Sequence, residues 1–292
     1  MENVWVLFAL VAAFSLATSD AFTKKALAAY NEYLIAWLRL LMTLPGLCIA
    51  LLLVPLPALD KEFFVASLVA LPFEITAMIL YIKALKLSPL SLTLPFLSLT
   101  PIFLIIVPHV LLGETVSMQG TMGVLLIAAG GYMLNLKEFK RGIFEPFLAI
   151  RREKGSVYMI VVALIFSITS TLGKKAIIHS SPLFFAASYY VALAVFFAPV
   201  ALYKGRGDLK ELWKNGTVKA ALLPGFFHLL MIISHMIAIS LTTVAYMISV
   251  KRLSLLIGVL YGHLFFKEQG IRDRFAGSAL MLAGFALIVL SR

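Results

Sequence analysis

Ten apolar runs of about 20 residues succeed one another along this chain, joined by stretches too short to form a soluble domain. A helix of that length crosses a hydrocarbon layer of about 30 Å, where every backbone N–H and C=O must find its partner within the protein. The reading is an all-α integral membrane protein with ten transmembrane helices, at 3–23, 32–54, 62–84, 89–112, 117–136, 155–176, 182–203, 218–240, 244–266 and 271–290. Composition agrees: 62% of the residues are hydrophobic and 13% charged, against about 45–50% and 25% in soluble domains. The first run has Glu2 and no basic segment before it, so it reads as a retained helix rather than a signal peptide.

The two halves of the chain repeat one another. At an offset of 154, Ala84 maps to Ala238, His109 to His263, Glu114 to Glu268, Gly123 to Gly277 and Gly130 to Gly284. Near the start, Lys24-Lys25-Ala26-Leu27 matches Lys174-Lys175-Ala176-Ile177 at 150. Five helices per copy is an odd number, so the second copy enters the membrane from the opposite side. The expected organisation is two inverted five-helix repeats, 1–136 and 155–292, joined by a basic segment, 137–154, whose Phe139, Ile143, Phe144, Phe147 and Ile150 suit the lipid interface. Inverted pairs of this kind support alternating access.

The formal charge of +11 does not point to nucleic acid, because the basic residues sit in short loops between apolar runs. There they act as topology signals and contacts to anionic lipid. Loops on one side carry 18 Lys and Arg, the other side carries 4, and Arg39, Lys251 and Arg252 lie within spans. The positive-inside rule then places both termini on the non-cytoplasmic side of the cell (plasma) membrane. Cys48 is the single cysteine, and it lies within a span, so no disulfide framework or thiolate metal site is expected.

A run Ala84-Leu-Lys-Leu-Ser-Pro-Leu-Ser precedes Leu97-Ser-Leu-Thr-Pro, Leu112-Gly-Glu and a glycine-rich fifth helix. The second half answers with Val250-Lys-Arg-Leu-Ser, Phe266-Lys-Glu and the helix carrying Gly277 and Gly284. Over nearly its whole length the chain resembles the EamA-type ten-helix branch of the drug/metabolite transporter superfamily. The resemblance implies export of amino acids, other metabolites or drugs; relatives move nucleotide sugars or lipid-linked sugars. It also implies cytoplasmic termini, which the distribution of basic residues contradicts.

Charged groups within a span cost on the order of 2.5–3.5 kcal/mol each and call for a role. Glu74 stands mid-way along the third span with Tyr81 on the same face, and their counterparts at offset 154 are His228 and His235. Glu74 reads either as a cavity carboxylate that exchanges a proton or binds an ammonium, or as the structural partner of a buried base. Lys251 shares its face with Ser254, Gly258 and Tyr261, whereas Arg252 lies with Leu256 and Val259, so Lys251 ranks above Arg252 as a ligand contact. Either can instead snorkel to the headgroups. Arg39 lies with Thr43 and Gly46. Pro89, Pro95, Pro101 and Pro108 interrupt the fourth span, and Ser91, Pro95 and Ser98 share helical spacing, so the backbone near Pro95 to Ser98 is either a binding break or a passive bend.

Asp20 reads as an i,i+4 partner of Lys24. Lys24, Lys25, Lys174 and Lys175 read as helix C-terminal cations, and Glu114 and Glu268 as favouring the N-termini of the helices just after them. The paired glycines read as close-packing positions. No HExxH, GxSxG or phosphate-binding loop is present, and no cofactor or metal is expected. The candidate substrate-binding residues are therefore Arg39, Glu74, Tyr81, Ser98, His228, His235, Lys251 and Arg252. Three basic groups to one acidic favour a solute bearing a carboxylate, or a zwitterion such as an amino acid, with a proton as coupling ion. The alternatives are a flippase for a phosphate-bearing lipid and a membrane-embedded enzyme or sensor, the last disfavoured by the missing chemistry. Monomer and homodimer stay equally open.

Overall fold

Hydrocarbon offers a backbone no hydrogen bonds, so each apolar run closes its own ladder as a helix, and polar residues at the ends take up the free N–H groups. Asn31 accepts from the N–H groups of Tyr33 and Leu34 at 3.0 and 3.4 Å. Ser181 accepts from Phe184, and Thr243 from Tyr246. The computed structural model describes residues 3–87, 94–135, 154–212, 216–266 and 275–291. The helices are α1 (Val4–Leu27), α2 (Glu32–Leu52), α3 (Lys61–Leu87), α4 (Thr100–Leu112), α5 (Met118–Asn135), α6 (Lys154–Ile178), α7 (Pro182–Lys204), α8 (Thr217–Leu241), α9 (Val244–Lys251), α10 (Ser254–Phe266) and α11 (Phe275–Leu290). Together α9 and α10 make the ninth span, and α11 the tenth. Glu268 and the expected interfacial segment at 137–154, save Lys154, fall outside the described residues.

Seven spans are individually long and apolar enough to cross a membrane, and the fourth, fifth and tenth hold shorter apolar helices. Two spans are interrupted: the fourth near Pro95 to Ser98, where a break or bend is expected, and the ninth, which reads from sequence as one continuous helix. The fourth span opens with a 3-10 segment, Leu94–Leu99, before α4. The ninth breaks between Lys251 and Ser254. There the N–H groups of Leu253, Leu255 and Leu256 bond carbonyls only three residues back, at 3.0, 2.9 and 3.0 Å. Thr100 and Ser254 are counterparts at offset 154, so both halves break their fourth span at the same level. Prolines flank the first break, whereas the second has none.

Packing obeys the inverted symmetry. Helix α1 lies along α8 as α3 lies along α6, while α2 packs on α7 and α5 on α11. The α5–α11 contact holds the two halves at their shared axis. A Cβ at Gly123 would meet the carbonyl oxygen of Gly284 at 2.7 Å, and one at Gly130 would meet that of Gly277 at 2.5 Å. The symmetry turns the first contact into the second, which requires the two helices to run antiparallel. Large side chains such as Leu68, Val110, Phe196, Leu264 and Phe265 are exposed on the outside, as lipid-facing positions should be, while alanines such as Ala77, Ala84, Ala163 and Ala238 are fully buried. Small interior residues let backbones approach closely where lipid gives no hydrophobic drive between helices.

Gly130→Ala forces a methyl against a backbone carbonyl that cannot yield, and overpacking of this kind costs about 1–3 kcal/mol. We expect a clear fall in the thermal unfolding midpoint in detergent. Gly258→Ala, where nothing lies within 4 Å of the added carbon, should leave the midpoint unchanged or raise it.

Candidate functional site

The break in the ninth span turns its two adjacent cations to different partners within one interior region. Lys251 Nζ and His235 Nδ1 are hydrogen-bonded at 2.9 Å. Arg252 donates to the Thr100 hydroxyl at 3.0 Å, linking the second break to the first. The sequence ranking of Lys251 above Arg252, made from the faces of one helix, assumes an unbroken helix. With the helix interrupted, both lie among interior polar groups.

Around this pair stand groups from both halves. Arg39 of α2 donates to Asp20 of α1 at 3.1 Å and to the Thr23 hydroxyl at 3.4 Å. Asp20 is 59% accessible, and Arg39, Arg252 and Lys251 all act on it electrostatically. Its carboxylate therefore reaches across to another helix, beyond the local Lys24 pairing expected from sequence. Glu74 of α3 lies within reach of the Thr169 hydroxyl of α6 and of the charge on Lys251. Tyr81 lies near Asp20, Arg39 and Arg252.

On α8, His228 and His235 are both buried. The His228 ring stands edge-on to Tyr190 with centroids 6.0 Å apart, and Arg39 and Lys251 lie within electrostatic reach of it. Its Nδ1 has no hydrogen-bond partner, nor have the hydroxyls of Tyr189 and Ser249. Seven of the eight candidate residues thus form one connected cluster. Ser98 is the exception: its hydroxyl is buried without a partner and lies against Gly131 of α5, where an added Cβ would come within 2.8 Å.

Asp20, Thr100, Thr169, Tyr189 and Tyr190 join the cluster although sequence does not single them out for it. Of these Asp20 alone carries a signal, an acid within a span, and a nearby lysine obscures it. With Asp20 the balance becomes three cations to two carboxylates rather than three to one. The hydroxyls and tyrosines carry no mark in sequence that separates them from other small or aromatic residues of the spans.

A second polar assembly ties the halves together at the end of the bundle where α1 begins. Glu114 forms an ion pair with Lys174, both side chains being largely buried at 13% and 12% exposure. Its Oε2 also accepts the N–H of Val244 at 2.9 Å, and Lys174 donates to the Thr242 carbonyl. Glu114 therefore sits at the N-terminus of α9, in the other half, rather than serving the helix just after it. The inverted fold brings the loop after α4 against the start of the ninth span, a proximity that local spacing does not reveal. Further out, Lys175 bonds Glu62 and His179 bonds Asp60, each at 2.6 Å. Asp60 also accepts the Phe63 N–H at 3.0 Å. That bond, with His179 adding to it, holds the Asp60 carboxyl below its ordinary pKa.

Fold and cluster are those of an inverted-repeat membrane transporter, a multi-pass protein whose charged core is shared between two halves. The chain matches the model of the EamA-like transporter family over residues 3–136 and again over 153–290, and it belongs to that family. Among solved structures, a crystal structure of a protein aligns with a TM-score of 0.74 at 15% identity, over 99% of this chain and 98% of the other. At that identity the likeness speaks for the fold alone. Comparison with curated proteins found no match.

Removing one member of a largely buried ion pair leaves the other uncompensated, at about 3–5 kcal/mol. Glu114→Gln and Lys174→Met should each lower the unfolding midpoint strongly, and the double variant should recover part of the loss in a double-mutant cycle. For exposed Asp60 the sign comes from its lowered folded pKa. Its contribution is present above the unfolded value of about 3.9 and is lost as pH falls through the folded value. Asp60→Asn should therefore unfold earlier than wild type at pH 7, with the gap closing in strong acid.

Proposed function

We propose that the protein is a secondary, alternating-access transporter of a small metabolite carrying a carboxylate, with an amino acid or another zwitterion fitting best. The observation that carries this reading is the convergence of Arg39, Lys251, Arg252, Asp20 and Glu74 from both halves on the broken ninth span. Three cations suit a carboxylate, two carboxylates suit an ammonium, and the partnerless groups at His228, Tyr189 and Ser249 leave hydrogen-bonding capacity for a guest. Because the cluster draws on α1, α2 and α3 on one side and α6, α8 and the ninth span on the other, rocking one half against the other changes its access.

Glu74 is the group we assign to proton exchange, giving a proton-coupled exporter. The halves are 1–136 and 155–292, with the basic segment 137–154 joining them in sequence. The excess of basic residues on one face favours that face in the cytoplasm of a plasma-membrane protein and both ends of the chain outside it. In this orientation the Glu114–Lys174 assembly latches the outer face.

A thermal-shift series on the purified protein tests the substrate class, using amino acids, organic acids, nucleotides and lipid-linked phosphates. A ligand at one hundred times its dissociation constant stabilises by about 2.7 kcal/mol. Stabilisation by a zwitterion or organic anion, lost in Lys251→Ala and Glu74→Gln, is the expected result. Stabilisation by lipid-linked phosphates alone would overturn it in favour of a flippase. In proteoliposomes, Glu74→Gln should abolish the response of transport to a pH gradient, and an unchanged response would remove Glu74 from the coupling.

A further inference from the structure

The two halves are not packed alike. Helix α2 lies closely along α8, with Gly225 against Met42 and Gly46 against Leu229. The symmetry-related pair, α7 and α3, meets far less closely. Phe63 and Phe184 join these two at one end, with ring centroids 5.7 Å apart. At the other end, on the basic face, they part around an open crevice of about 410 Å³ closed from behind by the start of α2.

The crevice has a graded wall. On α3, Lys83 stands at the rim and Ile79 one helical turn deeper; on α7, Lys204 stands at the rim and Val200 one turn deeper. A turn is about 5.4 Å, so both parallel helices pass from cation to hydrocarbon over the same depth and in the same direction. Pro199 extends the apolar floor and Tyr203 the rim. Lys204 and Arg206 lie over the Tyr203 ring at 5.7 and 5.2 Å. The symmetry-related positions of the two lysines, Ile237 and Val54, are apolar, so the paired cations belong to one face of the membrane and are no by-product of the repeat.

We infer that this crevice is a binding site for an anionic phospholipid of the leaflet at the basic face, its phosphate held between Lys83 and Lys204 and an acyl chain laid along Ile79 and Val200. A soluble phosphate satisfies the rim but leaves the apolar floor bare, and a zwitterionic lipid brings a choline cation to two lysines. A bound lipid keeps α3 and α7 apart, so it favours the arrangement in which this pair is open and α2–α8 closed.

The test uses the full-length protein in a neutral detergent, with native mass spectrometry and thermal unfolding as readouts. The probes are phosphatidylglycerol, phosphatidylcholine of the same chains, and glycerol phosphate. Phosphatidylglycerol should bind and stabilise in preference to phosphatidylcholine, and glycerol phosphate should do neither. Lys83→Gln with Lys204→Gln should weaken phosphatidylglycerol roughly tenfold or more, whereas Lys154→Gln with Lys219→Gln, which removes the same charge elsewhere on that face, should not. Val200→Trp fills the floor without touching charge and should also remove the preference, which guards against misfolding of the double variant. Equal binding of the two lipids, equal loss in both lysine pairs, or full stabilisation by glycerol phosphate would each overturn the proposal. Lys251→Ala should leave lipid binding intact, so failure here is separable from failure of the metabolite reading.

Discussion

Hydrocarbon supplies no hydrogen bonds and screens no charge, and each main feature of this protein answers that constraint. The spans are helical because only a closed ladder satisfies the backbone within a lipid-facing segment. The ladder is interrupted where protein surrounds it, at Leu94–Leu99 and at Lys251 to Ser254. There, bonds to carbonyls three residues back keep the second break satisfied. The charges obey the same rule. Arg39 has Asp20, Lys251 has His235, and Arg252 has Thr100, each partner coming from a different helix.

Inverted symmetry determines how these pieces meet, and one pair of related interfaces departs from it. The α5–α11 contact is its own image, with glycine to carbonyl approaches repeated on either side of the axis. By contrast α2–α8 and α3–α7 should be images and are packed differently. One fold thus holds a closed and an open version of the same interface at once, the pattern expected when two states exchange by swapping the packing of the halves. The ion pairs Glu114–Lys174 and Glu62–Lys175 fasten one end of the bundle, while the crevice lies at the other.

The spans, the repeat and the family are legible in the sequence because each rests on a signal spread over many residues. Apolar length gives the spans, the offset of 154 gives the halves, and glycines at two matched positions mark the close contact. Glu74, His228, His235, Lys251 and Arg39 stand out for a different reason: a titratable group within an apolar run costs free energy, so its presence demands an explanation. Asp20 meets the same criterion, but a lysine four residues away offers a sufficient local partner. Only the approach of α2 makes Arg39 its neighbour.

By itself, then, the sequence determined whatever rests on one-dimensional periodicity: helices, their number, their inverted duplication, and the rarity of charge inside them. Tertiary structure decided which charges meet. It turned Lys251 and Arg252 to His235 and Thr100, carried Glu114 to the start of α9 in the other half, and parted α3 from α7 beneath Lys83 and Lys204. Each of these depends on distances between residues far apart in the chain. Those distances are set by how ten helices pack, a property that no local spacing along a single helix encodes.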